Sequence, residues 1–176
     1  MMTIRAVLLG AAAVILTTSP ACSEDGGPND AQIAHIAHKA GEIDVAAGRQ
    51  ALARAQDPAV RAFAETMVRD HVAVNEQALA LVKKLGVTPE ANPVSEGLAK
   101  EAAAQATRLA ALKGAAYDRA YVANEVAFHR TVNEALRTTL IPSADNAELK
   151  ALLETGLTLF QAHQAHAEQL AARVDK

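Results

Sequence analysis

Hydrophobic residues recur in steps of three and four along most of the chain, most clearly between Asp57 and Gly86. There Val60, Phe63, Ala64, Met67, Val74, Ala78, Leu81, Val82 and Leu85 form one stripe, the pattern of an amphipathic helix. Asp57 supplies an N-cap, and Pro58 fits a first turn where no backbone N–H is needed. Gly86 supplies the stop, with Lys83 and Lys84 beside the negative end of the helix dipole. The gap between Met67 and Val74 is filled by His71. The pattern therefore places an imidazole on the core-facing seam of the best-defined helix.

The same periodicity predicts further helices. The first spans about 31–55 along Ile33, Ile36, Ala40, Ile43 and Ala47, with His35, His38 and Glu42 beside the stripe. Gly41 and Gly48 weaken it by roughly 1 kcal/mol each relative to Ala. In return they let a neighbouring helix approach closely. The turn at 56–58 is short enough to make helices one and two an antiparallel hairpin. After Gly86 two prolines break the pattern, and a third, shorter helix occupies 94–113. A fourth, about 116–139, carries Tyr117, Tyr121, Phe128 and Ala135 on one stripe. Val122, Val126, His129, Val132 and Leu136 form a second stripe, with Glu125 one turn before His129. The last helix, about 145–174, follows Leu149, Leu152, Gly156, Phe160, His163, Ala167 and Leu170, again with a histidine on the seam.

These elements predict an all-α fold. The segment 87–114 can return along a bundle, its helix reaching roughly 30 Å. Two antiparallel hairpins would then be joined by a helical crossover between the second and third long helices, the topology of a ferritin-like four-helix bundle.

Composition narrows the partners. The 176 residues are 51% apolar but only 3% aromatic, so alanine carries much of the apolar count and helices are favoured over sheet. The net charge is −3, there is no Trp and no run of Lys and Arg, which argues against a nucleic-acid partner.

Residues 1–21 read as an export signal. Arg5 is followed by an apolar run from Ala6 to Leu16, then by small residues at Ser19 and Ala21. Cys22, the single cysteine, lies directly after that cut. The arrangement resembles a bacterial lipoprotein signal, which implies lipidation of Cys22 and a membrane anchor. Ser23 then implies an outer-membrane address in the periplasm. Cleavage without lipidation would leave a soluble periplasmic protein. Residues 22–30 read as a flexible polar tether and 31–174 as the bundle.

Four segments carry a wider resemblance: IAHIAHKAGEID in the first helix, MVRDHVAVNEQAL in the second, GAAYDRAYVANEVAFH entering the fourth and FQAHQAHAEQL in the last. They resemble an exported bacterial family classed as a domain of unknown function and often labelled outer-membrane or periplasmic protein. The resemblance covers about 31–172 and implies a ferritin-like domain. It implies no activity.

Di-iron ferritin-like proteins use a Glu on each of two helices and Glu-x-x-His on each of the other two. This chain has no Glu-x-x-His, which argues against ferroxidase chemistry. A single-metal site remains open. Its candidate ligands are Glu42, His71, Glu125, His129 and His163, with His38 as an alternative on the first helix. Three imidazoles and a carboxylate suit zinc, copper or iron. Met67 hints at copper through its thioether, but fits core filler better. Distances counted from helix starts put His71 and His129 near mid-bundle and His163 one to two turns away. The competing expectation is structural: buried histidines pairing locally, as Glu125 with His129 and His38 with Glu42. No nucleophile stands beside a base. The leading expectation is therefore a non-catalytic binding or structural envelope protein. The alternative is a periplasmic metal-binding or metal-dependent redox protein.

Overall fold

The computed structural model describes residues 26–174, which form helices and no strand. The long helices are α1 (Asp30–Arg54), α2 (Pro58–Leu85), α3 (Pro93–Ala110), α4 (Gly114–Ala135) and α6 (Ala147–Val174). Between α4 and α6 lie a π-helical turn (Leu136–Leu140) and the single turn α5 (Ile141–Ser143). Pro142 has no N–H to continue the i→i−4 ladder, and the helix widens just before it. The expected export signal and Cys22 lie outside the described residues.

Helix ends follow local chemistry. Asn29 caps α1 through a reciprocal pair with Gln32, with bonds of 2.9 and 3.2 Å. The Asp57 carboxylate accepts from the N–H groups of Ala59 and Val60. Gly86 closes α2 at φ 66°, a left-handed position that only glycine takes cheaply. Asn92 caps α3 and is answered by Ser95.

α1 and α2 pack antiparallel, with Gly41 facing Asn75 and Gly48 facing Val68 and the Ala64 carbonyl. A Cβ at Gly48 would lie 2.8 Å from Val68, so the two backbones meet there. α4 and α6 pair the same way, through Asn133 with Gln164 and Arg130 with Glu168. α3 runs parallel to α1, tied by Asn92 to Gln32 at one end and by Gln50 to Ala106 near the other. It thus carries the chain back from the end of α2 to the start of α4.

Two apolar clusters fill the two halves of the bundle. One is rich in large side chains, including Phe63, Met67, Tyr117 and Tyr121. The other is aliphatic, built on Ile33, Ile36, Leu136, Leu140, Leu149 and Leu153. A layer of buried polar side chains lies between them: Asp44, His71, Glu125, His129 and His163. No described helix is long and apolar enough to cross a membrane.

Candidate metal centre

α2, α4 and α6 each direct one histidine inward. Single ring nitrogens of His71, His129 and His163 all lie within 4.8 Å of one another, as do donor atoms of Asp44, Glu125 and His129. The ring centroids form a triangle, 5.3 Å from His71 to His163, 5.6 Å from His71 to His129 and 5.5 Å from His129 to His163. All five residues are at most 4% exposed.

Hydrogen bonding orients two of the three imidazoles. His129 Nδ1 lies 3.0 Å from the Glu125 carbonyl, and with Nδ1–H donating there, Nε2 keeps its lone pair. His163 Nε2 lies 3.0 Å from Asp70 Oδ2, and with that N–H donating, Nδ1 keeps its lone pair. Those remaining nitrogens, His129 Nε2 and His163 Nδ1, are buried without a partner. Both nitrogens of His71 are in the same state; Nε2 lies 3.4 Å from Asp44 Oδ2, without hydrogen-bond geometry. Asp44 Oδ1 and Glu125 Oε2 accept from no nitrogen or hydroxyl donor, and the two carboxyls face each other closely enough to share a proton. Buried polar atoms are normally paired, and an orphan costs roughly 1–3 kcal/mol. Here several orphans come together in one layer.

Burial governs the charges. It lowers the His71 pKa to about 3 and that of His129 to about 4, and the neighbouring imidazoles add to the effect. His163 is lowered by burial too, against the opposing pull of Asp70. Burial raises Glu125 to about 7, and raises Asp44 well above the carboxylate range with help from Glu125. At neutral pH the three imidazoles are therefore neutral, as ligands must be, and the carboxyl pair retains a proton. Asp70 stays ionised: its bonds to Arg69 and His163 outweigh the effect of its partial burial.

The sequence expectation for the site changes at one position. Glu42 is a surface residue on α1, paired with Lys39 at 2.6 Å and facing His38 at 3.6 Å. Asp44, two residues on, holds the interior position. It lies on the small-residue face of Ala40, Gly41, Gly48 and Ala51, whereas Ile43, placed on the seam by the sequence pattern, is only partly buried. The face of small residues was the available signal. Asp70, the partner of His163, carried none, because it depends on α2 and α6 being adjacent. His163 is level with the other two rather than displaced along the bundle. α4 and α6 share the turn at 144–146, and His129 and His163 lie roughly 24 and 27 Å from it along their helices. Distances from a shared turn, not from each helix start, set depth in a hairpin. Met67 packs in the aromatic half with Phe63 and Tyr121.

A family model described as "Domain of unknown function (DUF4142)" matches residues 16–170, and the chain belongs to that family. No curated protein and no solved structure matches the chain.

Proposed function

We propose that this member of the family binds one transition-metal ion between its helices, through His71, His129 and His163 with a carboxylate from Asp44 or Glu125. One observation carries the reading. Two buried imidazoles are each tied at one nitrogen and keep the other unpartnered, and one ring nitrogen of each lies within 4.8 Å of the other and of one of His71. Tethering one nitrogen to a carbonyl or carboxylate is how proteins commonly fix a metal-ligating histidine. Imidazole-rich ligation suits Zn²⁺, Cu²⁺ or Fe²⁺ over Mg²⁺ or Ca²⁺.

We infer further that the helices adopt the ferritin-like arrangement, with α3 as the crossover, but hold a departed ligand set. Two carboxylates in the histidine layer and no Glu-x-x-His favour binding or one-electron redox at a single ion over oxygen chemistry at two irons. On the exported reading, the protein works in the periplasm, held to the outer membrane by lipid on Cys22.

Elemental analysis of protein purified from its native compartment tests the metal reading, together with zinc, copper and iron titration of the chelator-treated protein. We expect close to one ion per chain, lost in His71→Ala and His163→Ala and kept in Glu42→Gln. A protein that takes up none of these metals while correctly folded would leave the histidines with a structural role.

A further inference from the structure

On the aliphatic side of the histidines a half-open cavity runs into the bundle. Each of α1, α2, α4 and α6 lines this cavity with a residue three positions from the cluster. These are Gly41 before Asp44, Val74 after His71, Val132 after His129 and Phe160 before His163. The cavity, about 620 Å³, extends from there past Leu149 and Leu153 to Gly27 and Asn29 at the start of α1. Along α6, from Phe160 back to Leu149, that is roughly 16 Å.

The hollow follows from side-chain size. Ala37, Ala40, Gly41, Ala78, Ala135 and Gly156 all face it. On the other side of the same histidines, Phe63, Met67, Tyr117 and Tyr121 are wholly buried and packed together. Pockets for small molecules fall in this size range.

The lining also specifies charge. It contains no Asp, Glu, Lys, Arg or His. Of its polar side chains, Asn29, Gln32 and Asn92 are already used in helix caps near the outer end. Asn75 lies against Gly41 at the inner end. An ionic group would enter this space without a counter-charge, at a large desolvation cost. An uncharged chain would replace water with apolar contact along its whole length.

Phe160 joins the cavity to the cluster. Its ring stacks on His71 with centroids 4.7 Å apart and planes at 13°, and it also forms cavity wall. We propose that this hollow binds an uncharged, elongated alkyl molecule, which lies along the aliphatic lining and reaches Phe160 beneath the histidines. Binding itself needs no metal. Only the approach of the chain end to an ion rests on the metal reading above.

Calorimetric titration of the metal-free protein with 1-decanol, decanoate and decyltrimethylammonium tests the proposal. Decanol should bind at least tenfold more tightly than either charged molecule of the same chain length. Ala78→Leu and Ala135→Leu, which fill the hollow, should weaken decanol at least tenfold while keeping the wild-type circular dichroism. Nuclear Overhauser contacts from the decanol methyl to the Phe160 ring in the wild type give the same answer without a variant. Equal binding of the charged molecules, contacts confined to the outer surface, or no decanol binding would each overturn the proposal. Co²⁺ separates the two readings. Decanol bound by a protein that takes up no Co²⁺ removes the metal and leaves the hollow as a ligand site. Co²⁺ taken up without decanol binding does the reverse. Where both bind, decanol should shift the visible Co²⁺ bands; unshifted bands would overturn the approach to the ion.

Discussion

His71 carries a clear pH signature. Folding holds it neutral down to about 3 and His129 down to about 4. An unfolded histidine takes up its proton near ~6.5. Below that value the unfolded chain binds protons that the fold refuses, so their contribution is lost as pH falls from ~6.5 towards those lower values. The carboxyl pair acts oppositely. Glu125 keeps its proton up to about 7, whereas the unfolded chain releases it near ~4.3, so this contribution is lost as pH rises through that window. In metal-free protein, His71→Leu should therefore flatten the fall in melting temperature between pH 7 and pH 5. Glu125→Gln should flatten the opposing trend; melting curves at half-unit pH steps read both. Asp44 contacts His71 without raising its pKa because that carboxyl is itself held largely protonated by burial. Asp70 acts from one layer out. Asp70→Asn should weaken metal binding roughly 10–100-fold with all three imidazoles in place, measured by competition with a chromophoric chelator.

Among the helices, the contact between α1 and α2 is the least forgiving. A Cβ at Gly48 would lie 2.8 Å from Val68 and 3.2 Å from the Ala64 carbonyl, and backbone cannot swing aside. Gly48→Ala should destabilise by about 1–3 kcal/mol in urea unfolding. Gly41 meets only the amide end of Asn75, which can rotate away. Gly41→Ala should cost less, or gain up to ~1 kcal/mol through helix propensity. The start of α4 is held differently. The buried Asp118 carboxylate accepts the backbone N–H of Gln56 at 3.1 Å and of Asp57 at 2.9 Å. Asp118→Ala strands those donors and should cost about 1–3 kcal/mol, loosening α4 from the α1–α2 turn. The element types were legible from period, caps and breakers, because those signals are local. The rotation of α1 about its axis was not. Ala and Gly give a weak hydrophobic contrast, so the stripe could be drawn through Ile43 when Asp44 occupies the interior.

For the whole molecule, metal and fold should be thermodynamically linked. A metal that binds only the native chain stabilises it by about 2.7 kcal/mol at a hundredfold excess over Kd. In a chain of this size that is a rise in Tm of roughly 5–10 °C. Chelator should remove the rise in wild type and change nothing in a His71→Leu, His163→Leu double variant. Location is a separate matter, and Cys22→Ser tests it. Labelling cells with a palmitate analogue should tag the wild type and spare the variant, because the proposed anchor attaches through that thiol; an unlabelled wild type would refute it.

Sequence alone determined the helices, their order and the turns between them, because hydrophobic period, caps and proline breaks act over a few residues. It also placed His71, His129 and His163 on inward seams, since each replaces an apolar residue in a stripe. Their common level depended on two hairpin turns at opposite ends of the bundle, which tie the depth of one helix to that of its partner. The exchange of Glu42 for Asp44 depended on how α1 rotates once Gly41 and Gly48 admit α2. The bond from Asp70 to His163 and the hollow behind Phe160 depended on side chains from different helices sharing a space. Such contacts have no local signature; they exist only once the helices are packed.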